Sequence, residues 1–143
     1  MHDIDYEEYP EEHCLRAPEM LRPAGATEEL IHAVCAHGFG ICSEVEPNCF
    51  MERILFATDE LTGLIGAAVR MRPSGSAADM EPASLRKKFK DKRFAAGCDR
   101  EVITRGAEML GWELDRLLCE TLDAMKATEE TITREAALLG VGK

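Results

Sequence analysis

The stretch NCFMERILFATDELTGLIGAAVRM, residues 48–71, decides the fold class. Phe50, Ile54, Ala57, Leu61, Leu64 and Ala68 recur at steps of three or four, the period at which side chains return to one face of an α-helix. Arg72, Pro73, Ser74 and Gly75 stop it, since proline lacks an amide hydrogen and glycine favours turns. Upstream, Thr27 is placed to cap a helix with Glu28 and Glu29 in its first turn, where carboxylates complement the helix dipole. Its apolar stripe of Leu30, Ile31, Val34 and Cys35 ends at Gly38. A short helix is expected around Pro18 to Arg22, with residues 1–16 as loop or turn.

Downstream, a helix is expected over Ala83 to Lys90, and another capped by Asp99, running to Met109 and ended by Gly111. The last and longest carries Leu114, Leu117, Leu118, Leu122, Met125, Ile132, Ala136 and Leu139 on one face. No segment alternates apolar and polar residues long enough for a strand, and β-branched residues are sparse. The expected class is all-α, a single helical domain over residues 1–143.

The 143 residues allow one domain with a sizeable core, and 45% apolar with 31% charged residues is ordinary for a soluble chain. The acidic N-terminus has no signal-peptide core, and apolar or glycine stretches such as Leu64 to Val69 are too short to cross a bilayer. A cytoplasmic protein is expected. Six dispersed cysteines without a CxxC pattern are expected to be free thiols; Cys35, His37, Cys42 and Cys49 follow no zinc-ligand spacing. The net charge of −10 is uneven, being −11 over residues 1–60, +5 over 61–98 and −4 over 99–143. So acidic a chain repels nucleic acid, and its basic segment suits a small anion or an acidic protein surface.

Three of the four histidines, His2, His13 and His37, fall in the acidic first segment in loop or helix-end contexts. Imidazole and carboxylate together suit divalent transition metals. His2 and Asp3 are adjacent, so they converge on one ion only where the backbone is not mid-helix. Asp59 has Leu55, Phe56, Thr62 and Gly63 as its neighbours on the helix surface, so its carboxylate needs a cation or donor as partner. His32, five residues before His37, lies off its face and is expected to be a surface or packing residue.

The order of His2-Asp3, His13, His37 and Asp59, in the strings HDIDYEEYPEEH (2–13), AVCAHG (33–38) and LFATDELTGLI (55–65), resembles the HD superfamily of metal-dependent phosphohydrolases. The strings VRMRPSGS (69–76), KKFKDKRFAAGCDREVI (87–103) and GAEMLGWELDRL (106–117) extend the resemblance to an uncharacterised bacterial and archaeal subfamily. The resemblance implies an HD-like helical bundle, with residues 1–71 as the metal-site half and 72–143 as a C-terminal helical half. It also implies metal ligands His2, Asp3, His13, His37 and Asp59. Asp3 and Asp59 would act in catalysis through one or two divalent ions (Mn, Fe, Zn, Ni or Mg), with Asp3 bridging if there are two.

The implied substrate is a small phosphorylated molecule such as a nucleotide, and Arg70, Arg72, Lys87 and Lys88 are candidate contacts for it. Family members carry helices and a first histidine before the His-Asp pair, whereas only Met1 precedes it here. The expectation is therefore an N-terminally truncated bundle that covers its apolar surface as a homo-oligomer. The rival expectation is a catalytically degenerate HD domain serving as a binding or regulatory module.

Overall fold

A computed structural model describes residues 1–139, the side chains of Glu130 and Ala137 excepted. Among these residues the secondary structure is helical, without a strand. A 3-10 turn at Pro10–Glu12 precedes α1 (Ala17–Leu21), α2 (Glu28–Ala36), α3 (Phe50–Arg70), α4 (Pro82–Lys90), α5 (Arg100–Met109) and α6 (Leu114–Leu138). The all-α class follows. No helix among the described residues is long and apolar enough to cross a membrane. Contacts divide the chain into two units, Met1–Asp59 and a second beginning at Glu60, so the division falls inside α3.

In the first unit α1 packs on α2 through Ala17, Leu21, Ile31, Val34 and Cys35, with Ala26 and Val45 against them. The Thr27 side chain accepts the Leu30 amide at 3.3 Å, as its position before two glutamates predicts. Gly25, at φ +83°, makes the turn between the two helices, a conformation that costs glycine little. The start of α3 departs from the sequence pattern. Phe50, expected in the core stripe, is 63% exposed, while Glu52 is buried. The Glu52 carboxylate turns inward to accept the amides of Asn48, at 2.7 Å, and Cys49, at 3.3 Å, which the new helix leaves without carbonyl partners.

In the second unit α6 packs against α4 and α5. Leu85, Ile103, Leu117 and Leu122 are fully buried there. Asp99 caps α5 by accepting the amides of Glu101, at 2.8 Å, and Val102, at 3.3 Å. Asp99→Ala removes an acceptor that the first turn cannot replace. Chemical denaturation should show a loss of about 1 kcal/mol, and an unchanged midpoint would mean that water satisfies those amides equally well. Gly111 at φ +66° ends this region as expected. Of the stripe of α6, Leu117, Leu118 and Leu122 are buried, but Ile132 and Leu139 are 60% and 78% exposed. Their period marks a face, and nothing in the described chain covers it.

Candidate metal-binding site

Residues 1–6 form consecutive tight turns, with the Ile4 amide donating to the Met1 carbonyl at 3.2 Å and that of Tyr6 to Asp3 at 3.1 Å. This backbone lets the neighbouring side chains of His2 and Asp3 approach each other, with His2 Nε2 3.0 Å from Asp3 Oδ2. His13 follows the 3-10 turn, and His37 caps the C-terminus of α2. Asp59 stands on α3, its Oδ1 3.3 Å from His2 Nε2. The five residues singled out from sequence as ligands thus meet within the first unit.

Three atoms form a small triangle. His13 Nε2 and His37 Nε2 are 3.1 Å apart, and Asp3 Oδ1 lies 3.5 Å from the first and 3.4 Å from the second. The ring protons decide what this triangle is. His13 Nδ1 lies 2.8 Å from Asp5 Oδ1, and His37 Nδ1 contacts the Val34 carbonyl. Both partners are acceptors, so each Nδ1 carries a proton and donates it, and a ring without a second proton turns an Nε2 lone pair toward the other. Two lone pairs and a carboxylate oxygen at these distances repel one another unless positive charge lies among them, either a proton or a metal cation.

The dimensions suit a metal. A point equidistant from the three atoms lies about 1.9 Å from each, close to the roughly 2.0–2.2 Å of nitrogen and oxygen bonds to zinc, so the three atoms are spaced as ligands of one ion would be. Asp3, His13 and His37 are accordingly a group that could hold a metal ion. The other oxygen of Asp3 faces His2, which also reaches Asp59, so one carboxylate serves both halves of the cluster.

Burial differs across the cluster in a useful way. The His37 and His13 side chains are 3% and 12% exposed, whereas Asp3 is 55% exposed. The imidazoles form a back wall largely shielded from solvent, and the carboxylate faces outward. Asp5, which sequence reasoning passed over, supports the wall. It is fully buried, and its second oxygen accepts the Ala17 amide at 2.9 Å at the start of α1. Burial by itself would raise the Asp5 pKa, but hydrogen bonds from His13 and from the amides of Cys14 and Ala17, with the charge of His13, hold it below the usual carboxylate range.

The four basic candidates, Arg70, Arg72, Lys87 and Lys88, belong to the second unit, where Arg72 donates to Asp79 Oδ1 at 2.8 Å and Lys88 lies 4.2 Å from the Phe94 ring centre. His32, expected to be a surface or packing residue, is held by the buried Glu52 at 2.8 Å. All six cysteines are free thiols, as expected, but Cys14 and Cys42 are not dispersed in space, their sulfurs being 3.3 Å apart. Burial, and then the Cys42 thiol, push the Cys14 thiol far above the ordinary range, so it is protonated and no nucleophile near neutrality.

Comparison with protein-family models, with curated proteins and with solved structures finds no match to this chain. What the cluster does has to follow from its own geometry. Asp5, Cys14 and Cys42 left no signal in the sequence: Asp5 sits in a run of acids that looks like a solvated surface, and the two cysteines are 28 residues apart.

Proposed function

We propose that this chain is a metal-dependent phosphohydrolase of the HD type, acting on a small phosphorylated compound such as a nucleotide. The observation that carries the reading is the shared carboxylate of Asp3, one oxygen toward the His13–His37 pair and the other toward His2, itself in contact with Asp59. A carboxylate offers lone pairs to two cations at once, and an imidazole nitrogen offers one. In this reading His13, His37 and Asp3 would hold one divalent ion, and His2, Asp59 and Asp3 would hold a second if two bind. Manganese, iron, zinc, nickel and magnesium all accept such mixed or oxygen-bearing donors.

Ions bound there supply Lewis acidity, lowering the pKa of water and offsetting negative charge that develops on a phosphate. The chain's own residues do the positioning. Asp5 and the Val34 carbonyl fix the tautomers of His13 and His37, which keeps both Nε2 atoms available as ligands. The exposed side of Asp3 leaves an anion a way in, and the buried imidazoles keep bulk water from the back of the cluster.

The test is elemental analysis after metal loading, followed by hydrolysis of a panel of nucleotides and phosphomonoesters with Asp59→Ala as control. Bound divalent metal and turnover that disappears in Asp59→Ala are the expected results. A metal-loaded protein without Asp59-dependent turnover sinks the hydrolase reading and leaves a metal-binding module without catalysis.

A further inference from the structure

Beside the histidine and aspartate cluster lies a pair of thiols that hydrolysis does not use. Cys14 directly follows His13, and Cys42 belongs to a turn in which the amides of Ile41, Cys42 and Ser43 all donate to the Gly38 carbonyl. Their sulfurs, 3.3 Å apart, are closer than the roughly 3.5–4.0 Å at which two carbon atoms pack, although sulfur is the larger atom. Together with His13 they form a second group that could hold a metal ion, its ligand atoms all within 4.8 Å of one another.

Two further features show that the fold brings these thiols together. A Cβ at Gly38 would collide with both sulfurs, lying 2.7 Å from that of Cys14, so only glycine admits the pair. Cys14 itself takes φ +66°, the left-handed region that is costly for a residue with a side chain. Its backbone is held there in part by the Cys35 thiol, which donates to the Cys14 carbonyl at 3.3 Å. Strain of this kind persists only where the surroundings enforce it.

We propose that Cys14, Cys42 and His13 form a second cation site, for a soft thiophilic ion such as zinc or cadmium, and that filling it takes His13 away from Asp3 and His37. Two thiolates and an imidazole provide three protein ligands and leave a fourth position to solvent. Bonds of about 2.3 Å from zinc to sulfur set tetrahedral sulfurs about 3.8 Å apart, so the pair has to open by about half an ångström. Binding is a proton exchange: two S–H bonds break, two metal–sulfur bonds form, both protons go to solvent and no electron is transferred.

Exclusion between the sites follows from the imidazole. Asp5 holds the His13 Nδ1 proton, which leaves Nε2 as the only ligand atom, and its single lone pair binds one ion. The competitive part of the proposal rests on the hydrolase reading of the Asp3, His13 and His37 cluster; the sulfur site itself does not.

The experiment titrates reduced wild-type protein with cadmium, reading the ultraviolet thiolate-to-cadmium charge-transfer band, with and without manganese followed by electron paramagnetic resonance. One cadmium per chain with a thiolate band is expected, and cadmium should displace manganese from His13 and His37. Cys42→Ser should weaken cadmium binding by at least about tenfold, since losing a ligand costs no less than losing a residue that merely orients one. Cys49→Ser, at an exposed thiol, should titrate as wild type. Bound cadmium should also protect Cys42 from alkylation in the wild-type protein, a readout that needs no substitution.

Absence of the band under reducing conditions, or wild-type titration by Cys42→Ser, overturns the site. Simultaneous full occupancy by cadmium and manganese overturns the competition. A thiolate band with no manganese bound anywhere upholds the sulfur site and removes the hydrolase reading instead.

Discussion

Replacing Asp3 with asparagine is expected to weaken manganese binding at both halves of the cluster by about 100-fold or more, whereas Asp59→Asn should spare the half built on His13 and His37. The asymmetry comes from position. Asp3 alone presents one oxygen to the His37 and His13 imidazoles, at 3.4 and 3.5 Å, and the other to His2 at 3.0 Å. Asparagine keeps the shape but removes the negative charge and replaces one acceptor oxygen with an NH2 donor. The Asp59 carboxylate touches His2, so its loss should fall first on the ion that His2 would hold. Manganese is the suitable probe because it prefers oxygen and nitrogen donors and so avoids the neighbouring thiols. Calorimetric titration of the three proteins decides the matter: equal manganese affinity in Asp3→Asn and wild type would show that Asp3 bridges nothing, and that a proton, not a metal, is shared by the histidines.

Asp5→Ala is expected to cost about 3 kcal/mol of stability, the largest effect of any single substitution in the first unit outside its apolar core. The carboxylate is fully buried and bonded at both oxygens, to His13 at 2.8 Å and to the Ala17 amide at 2.9 Å. Its removal leaves a buried N–H on each side without a partner and releases the ring that Asp5 orients. Urea unfolding at neutral pH should show the loss as a lower midpoint, and a shift under about 1 kcal/mol would mean that water replaces the carboxylate at little cost.

The pH dependence has a definite sign. The folded-state pKa of Asp5 lies below the ordinary value of 3.8, so its contribution is complete above that value and is lost as pH falls through the lowered folded one. Asp5→Asn, which retains one acceptor oxygen, should therefore have a flatter acid limb of stability than wild type below about pH 4. Parallel acid limbs in the two proteins would exclude Asp5 as the group responsible.

Much of the secondary structure was legible because it is local. The caps at Thr27 and Asp99, and the turn at Gly111, act across two to four residues, and a helix of α3's length shows its period within its own span. The same period misplaced Phe50, Ile132 and Leu139, which are exposed. Periodicity states that residues share a face; whether another element covers that face depends on the rest of the chain.

The cluster divides along the same line. Residue type and order along the chain were enough to single out His2, Asp3, His13, His37 and Asp59, because few side chains serve as metal ligands and four of these five lie in the acidic first 40 residues. That their ligand atoms stand about 3 Å apart, that Asp3 divides its oxygens between two partners, and that both imidazoles are held in one tautomer were decided by tertiary structure alone. Asp5 acquires its role only when the first turns fold back onto the start of α1, and Cys14 meets Cys42 only when the turn after α2 returns to the 3-10 segment. Contacts between residues 28 apart in the chain carry no local spacing rule, since their geometry is set by how the intervening helices pack.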